Sequence, residues 1–142
     1  MESKIYYLTN EEFENYLNEI GGLTYCYKTH EHVIMSRSFF GVKNGWLGII
    51  KELIEELIKI GWDKRICQVK EKFGGLRFYP DELDDDGYQL ILNSEKLSYV
   101  VCEICGEVGT LRNDIGWYRT LCDKHYNEIK DGQKNSNDNP KI

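Results

Sequence analysis

The sequence lacks a long hydrophobic run, an apolar leader and an excess of positive charge. No stretch approaches the roughly 18 to 20 consecutive apolar residues that a membrane-spanning helix needs. The first ten residues have no apolar core of the kind that marks a secretory signal, so we expect a cytoplasmic protein without membrane association. A formal net charge of −6 argues against a dedicated non-specific nucleic-acid binder, whose surface is usually basic.

Glycine-rich phosphate loops and recognisable catalytic sets are also missing. The segment Phe73-Gly74-Gly75-Leu76 lacks the spacing of a phosphate-binding loop, and we assign no catalytic residue. What the chain does have is 142 residues, of which 41% are hydrophobic and 13% aromatic. A chain of this composition can bury a core of ordinary size, and the order of its elements predicts the α+β class.

Three helices are predicted in the first hundred residues. Thr9 and Glu12 form a capping box that begins the first helix, and Gly21 ends it. The second helix, over 45–60, has the broadest apolar arc and should be central, and a third follows over 85–98. The apolar stripes of the first two helices consist of Phe13, Tyr16, Leu17 and Ile20, and of Trp46, Ile49, Ile50, Leu53, Leu57 and Ile60.

A β-hairpin is predicted over residues 66–79. Two alternating runs flank the pair Gly74-Gly75, and a glycine pair favours the primed turns of two-residue hairpins because both turn residues need positive φ. The alternation directs Val69, Phe73, Leu76 and Phe78 towards the core. Residues 23–44 fit neither the helix nor the strand period, so we predict an irregular segment with room for one short strand.

The opposite face of this hairpin is predicted to be basic. It carries Lys70, Lys72 and Arg77 beside Gln68 and Tyr79. Three cations on a short ribbon of an acidic chain could bind a phosphate, a nucleotide, a nucleic acid or an acidic protein surface. Arg112 and Arg119 of a second predicted hairpin could join them. The alternative is a solvated outer face whose lysines protect the strand edges.

Four residues near the C-terminal end have the spacing of a metal site. Cys102-x-x-Cys105 and Cys122-x-x-His125 are separated by sixteen residues. Zinc takes four sulfur or nitrogen ligands in a tetrahedron, and two residues that lie three apart in sequence can reach one ion. Three thiolates and one imidazole leave no position open for water, so the predicted zinc is structural.

The remaining thiols and imidazoles form a looser group. Cys26, His30 and His32 could supply further ligands, or Cys26 and His30 a nucleophile and its base, but no fourth donor, orienting acid or oxyanion loop accompanies them. We interpret them as a core cysteine with surface histidines. Cys67 lies far from this group in sequence.

The order of knuckle, hairpin and helix around the CxxC and CxxH pairs resembles the treble-clef zinc fingers. The resemblance implies that Cys102 and Cys105 lie on the knuckle and that Cys122 and His125 lie at the first helical turn. Some nucleases use this scaffold with a separate catalytic histidine. Because the only histidine of this module is the expected ligand His125, a nuclease or other hydrolase is the least favoured function.

A second resemblance covers roughly residues 39–126. The run QVKEKFGGLRFY, the Gly45-Trp46 helix start and the finger resemble a group of small bacterial and phage proteins. The domain organisation that we expect is an α+β domain over 1–100, a treble-clef finger over 101–130 and a flexible polar tail over 131–142. Leu97 to Val101 gives no flexible linker, so the two parts should share a core.

These observations predict a non-enzymatic, zinc-stabilised binding protein. The first hypothesis is an adaptor or inhibitor of a cellular protein, which in a phage would act against a host defence. The second hypothesis is a binder of nucleic acid or of a phosphorylated or nucleotide ligand through the basic hairpin face.

Overall fold

The computed structural model describes residues 5–22, 24–26 and 31–138, and these fold into the mixed α+β arrangement that the sequence predicts. The helices are α1 (Asn10–Ile20), α2 (Leu47–Lys59), α3 (Asp85–Ser98) and α4 (Asp123–Asp138). The strands are β1 (Thr24–Cys26), β2 (Glu31–Val33), β3 (Phe40–Gly41), β4 (Ile66–Lys72), β5 (Gly75–Pro80), β6 (Thr110–Arg112) and β7 (Arg119–Leu121). Short 3-10 turns cover Arg37–Phe39 and Asn44–Trp46.

The main sheet is larger than the predicted hairpin. Strand β5 pairs antiparallel with one edge of β4, while β1 and β3 pair with β4 in parallel, and β2 extends the sheet beyond β1. The prediction of an irregular segment over 23–44 is therefore wrong, because this segment supplies three strands. Each of them is only two or three residues long, which is too short for a periodic pattern to register.

The turn of the β4–β5 hairpin lies one residue earlier than predicted. Phe73 and Gly74 are the turn residues, with φ of 53° and 84°, and Gly75 pairs with Lys72 as the first residue of β5. Glycine is needed at position 75 because a Cβ there would collide with the ring of Tyr99. The shift removes Phe73 from its predicted core position, and its side chain is 63% exposed.

The core lies between the helices and one face of the main sheet. The capping box of Thr9 and Glu12 is present, with both hydrogen bonds at 3.0 Å, and the apolar stripes of α1 and α2 are buried as predicted apart from their last members. Ile20 is partly buried, and Ile60 is 45% exposed because α2 ends at Lys59. Phe13, Trp46, Ile50, Leu57, Val69 and Phe78 are among the buried side chains.

Helix α3 covers the outer edge of β5. The Leu76 amide donates to Ser98 Oγ at 2.9 Å, and the Glu95 carboxylate lies near enough to the Phe78 amide for the amide to lower the pKa of that carboxyl. Ser98 thus satisfies a backbone donor that an open strand edge would leave available for pairing with another chain. The main sheet is thus closed along β5 by a helix.

The C-terminal module, residues 101–138, is docked on the core through its backbone. The Gly45 amide donates to the carbonyl of Glu103 at 2.7 Å, and the indole N–H of Trp46 donates to the carbonyl of Val101 at 2.8 Å. Tyr6 bridges the two parts, because its amide donates to Gly106 and its carbonyl accepts from Gly48. The chain segment before α1 is therefore held between the C-terminal module and the start of α2.

The last helix extends beyond the predicted end of the finger. Helix α4 continues to Asp138, so residues 131–138, which the sequence analysis placed in a polar tail, are helical. Residues 139–142 lie outside the described part of the chain.

Candidate metal centre and basic hairpin face

The structure brings together the four residues that the sequence predicts as metal ligands. The ligand atoms of Cys102, Cys105, Cys122 and His125 all lie within 4.8 Å of one another. The first two belong to the turn between α3 and β6, Cys122 lies between β7 and α4, and His125 is in the first turn of α4. Two segments that are far apart in sequence thus converge on one point.

Local backbone geometry explains why these segments converge. The Cys102 carbonyl accepts from the Gly106 amide at 2.9 Å, which closes the turn that carries both cysteines. Gly106 has φ of 79°, and a Cβ there would collide with the backbone of Tyr6 and Tyr7. At the second segment, the Tyr126 amide donates to the Cys122 carbonyl at 2.9 Å and begins α4. A glycine therefore allows the turn to form and to pack tightly against the N-terminal segment.

The distances between the donor atoms fit a tetrahedral ion. A zinc bound at about 2.3 Å to sulfur and about 2.0 Å to nitrogen separates two sulfurs by about 3.8 Å and a sulfur from a nitrogen by about 3.5 Å. The Sγ atoms of Cys105 and Cys122 are 3.8 Å apart, and Cys102 Sγ lies 3.6 Å from His125 Nδ1. Cys122 Sγ lies somewhat closer to the same nitrogen, at 3.1 Å. The cluster could therefore hold a metal ion.

The electrostatics of the thiols differ within the cluster. Burial raises the pKa of the Cys105 thiol to about 12. Burial also acts on Cys102, but backbone hydrogen bonds from Cys105, Cys122 and Ile104 outweigh it and lower the pKa of that thiol. A cation among the sulfurs would favour the thiolate form of all three cysteines.

A buried ion pair lies next to the cluster. The Glu103 side chain is 4% exposed, accepts a hydrogen bond from the Lys43 amide at 3.2 Å and lies 3.6 Å from the Arg119 guanidinium. Burial raises the pKa of Glu103, although Lys43 and Arg119 oppose that change. These contacts tie the residue after the first ligand to β7 and to the segment after β3.

The basic face predicted on the hairpin is present as a structural feature. Lys70 pairs directly with Arg77. On the same face, Lys72 follows towards the turn, and the pair Gln68 and Tyr79 lies on the other side of Lys70. We call the three cations, Lys70, Lys72 and Arg77, the basic face. Among the described residues, neither Lys70 nor Lys72 forms an ion pair.

Aromatic rings accompany each cation of the basic face. Lys70 Nζ lies 5.9 Å from the ring centre of Tyr79, and Lys72 Nζ lies 5.6 Å from that of Phe73. The guanidinium of Arg77 donates to the Tyr99 hydroxyl at 3.0 Å. Arg77 also interacts electrostatically with the carboxylate of Glu95, so Lys70 and Lys72 are the two cations of the basic face without a described ion pair.

The two arginines of the second hairpin have different surroundings. Arg112 pairs with Asp123 at 2.8 Å and donates to the Leu121 carbonyl, and its guanidinium lies 4.2 Å from the ring centre of Tyr126. Arg119 pairs with Glu103 at a cleft of about 400 Å³ that Trp117 also lines. Both arginines form their ion pairs within the C-terminal module, and their part in ligand binding stays a prediction.

The sequence analysis missed an exposed aromatic pair next to the basic face. Phe73 and Tyr118 meet edge to face, with ring centres 6.3 Å apart and planes at 87°. The signal for Phe73 was its position directly before a glycine in a turn, where alternation no longer applies. Tyr118 had no comparable signal, because its neighbour in space belongs to a different hairpin.

The looser group of thiols and imidazoles is described only in part. His30 and the side chains of Cys26 and His32 lie outside the described part of the chain. Cys67 is half-buried, and its thiol donates to the Pro80 carbonyl at 3.4 Å.

No helix within the described residues combines the length and the apolar character needed to cross a membrane. Comparison of the chain with protein-family models, with curated proteins and with solved structures finds no match. Arguments about function therefore start from the geometry of the metal cluster and of the basic face.

Proposed function

We propose that this chain is a non-enzymatic, zinc-stabilised binding protein that recognises an anionic partner through the basic face. In this proposal the Cys102, Cys105, Cys122 and His125 cluster holds zinc within a treble-clef finger. Four protein ligands fill a tetrahedral shell, so the ion would act as a scaffold and would supply no activated water.

The position of the cluster supports a scaffolding role. The finger carries Thr120, whose hydroxyl donates to the Gly74 carbonyl at 2.6 Å in the turn of the β4–β5 hairpin. The Gly74 amide in turn donates to the carboxylate of Glu71 at 2.7 Å. Ordering of the finger by a metal would therefore also fix the tip of the hairpin that bears the basic face.

The observation that carries the proposal is the pair of uncompensated lysines. A chain with a net charge of −6 has carboxylates available to neutralise surface cations, yet none of those described pairs with Lys70 or Lys72. Lys70 also lies directly opposite Arg77, and like charges placed opposite each other destabilise a strand pair. An anionic partner would relieve this repulsion.

An adaptor or inhibitor that binds an acidic protein surface fits the basic face, as does a nucleic acid. Both are anionic, and in either case the chain acts by occupying its partner. The boundary near residue 100 between an α+β domain and a finger remains part of the proposal.

Retention on a heparin column tests the anionic partner. We expect the zinc-loaded chain to bind despite its negative net charge, and Lys70→Glu to elute at clearly lower salt, because surface ion pairs weaken with ionic strength. Lys59→Glu is the matched control, since Lys59 lies on α2 away from the basic face and the substitution changes the net charge equally. Equal elution of the two variants would contradict the proposal.

A further inference from the structure

Phe73 occupies a position that the fold itself does not favour. Its φ of 53° belongs to the left-handed region, which costs a bulky residue about 1 to 2 kcal/mol and which turns of this kind usually give to glycine or asparagine. Its ring is also 63% exposed. A strained, exposed aromatic residue is a reason to look for an external contact of its side chain that offsets the backbone cost.

The structure holds this ring in a fixed place. Tyr118, itself 47% exposed, meets Phe73 edge to face at 6.3 Å. The hairpin turn between them is anchored by the Thr120 hydroxyl and by the Glu71 carboxylate, which bind the carbonyl and the amide of Gly74. We call Phe73 and Tyr118 the aromatic tip. Because these contacts restrict the turn, less conformational entropy would be lost on binding a flat ligand than at a turn without them.

The aromatic tip is continuous with the basic face. Lys72 Nζ lies 5.6 Å from the centre of the Phe73 ring, and Lys70 follows two residues away, which is about 6.7 Å along a strand. Lys70 in turn pairs with Arg77 across the ribbon. Cations thus run along the ribbon and end at two exposed rings.

We infer that the anionic partner is a single-stranded nucleic acid, with bases stacked on Phe73 and Tyr118 and phosphates bound by Lys70, Lys72 and Arg77. This inference rests on the proposed function. Aromatic rings beside a line of cations are the recurring means of binding single strands, because every base has a face that can stack and every nucleotide carries a phosphate. A duplex keeps its bases stacked internally, and an acidic protein would use the cations but not the ring faces.

Fluorescence anisotropy with a labelled twelve-nucleotide oligothymidine tests this inference on the zinc-loaded full chain. We expect Phe73→Asn to weaken binding about tenfold, because the variant loses the stacking of one base on an aromatic ring. Asparagine accepts positive φ, so the turn should be kept. Tyr118→Leu, which keeps an apolar side chain without the π face, should weaken binding in the same direction, and Lys72→Glu should also reduce affinity.

Control variants and other polyanions distinguish a single-stranded nucleic acid from other anionic partners. Lys59→Glu should bind like the parent chain, and a duplex of equal length should bind more weakly than the single strand. Unchanged binding by both Phe73→Asn and Tyr118→Leu would contradict the inference, as would tighter binding of the duplex. If polyglutamate binds through Lys70 and the oligonucleotide does not, the inference fails and the proposed anionic partner stands. If neither polyanion binds and heparin does not retain the chain, both fail.

Discussion

The two halves of the molecule are stabilised by different means. The α+β part buries large side chains such as Phe13, Trp46, Leu57 and Phe78 in one continuous cluster. Among the described side chains of the C-terminal module, its own apolar cluster has Cys102, Ile115 and Leu121 fully buried, with five further side chains partly buried, and Cys102 is a predicted ligand. A region with so few apolar contacts needs another source of stability, and the Cys3His cluster is the candidate for it.

The difference also shows in how the two halves meet. Their interface includes close backbone contacts at Gly45 and Gly106, where a Cβ would collide with the backbone of the other part. We therefore expect the α+β core to depend mainly on apolar packing, and the C-terminal module to depend on the proposed metal and on this close fit. The following predictions test that asymmetry, beginning with the largest expected effect.

Removal of the metal should destabilise the C-terminal module much more than the α+β part. Structural zinc contributes about 10 to 16 kcal/mol in isolated finger peptides, so a strong chelator or Cys105→Ser should unfold residues 101–130 while α2 stays folded. Amide hydrogen exchange measures both regions in one experiment. Equal loss of protection in α2 and in the C-terminal module would show that they form one cooperative unit.

Gly45→Ala should destabilise the docked interface by about 1 to 3 kcal/mol, the range found for overpacked sites. A Cβ at position 45 would overlap the carbonyls of Cys102 and Glu103. Gly132→Ala is the control, because nothing lies within 4 Å of a Cβ there, and it should stabilise α4 by up to about 1 kcal/mol. Urea denaturation measures the free energy of unfolding of both variants. An unaffected Gly45→Ala together with a destabilised Gly132→Ala would contradict the close fit at Gly45.

The smallest effect is expected at Glu95, where α3 covers β5. Burial raises the pKa of this carboxyl, although the Phe78 amide and Arg77 oppose the rise. A raised pKa means that the folded state loses stability as the pH increases above about 4.5, the ordinary value. Glu95→Gln should therefore be slightly more stable than the parent chain at pH 7 and equal to it near pH 4. If Glu95→Gln gained more free energy of unfolding at pH 4 than at pH 7, burial of Glu95 would not be the cause of its raised pKa.

The sequence predicted best where a pattern is long or a spacing is chemically specific. The capping box at Thr9 and the four predicted ligands were found because each depends on residue types at fixed offsets. Strands β1 and β3 were missed because they pair with β4, which is distant in sequence, and β2 is only three residues long. The hairpin turn was misplaced by one residue because the requirement for glycine at position 75 comes from Tyr99, which follows α3. Local patterns cannot report such long-range contacts.

Metal analysis tests the central claim most directly. The claim is that Cys102, Cys105, Cys122 and His125 hold one zinc ion that orders the C-terminal module. We predict about one zinc per chain in protein purified without added metal. We also predict that Cys105→Ser loses the ion while Cys67→Ser retains it. A metal-free parent chain with a fully protected C-terminal module would contradict the account.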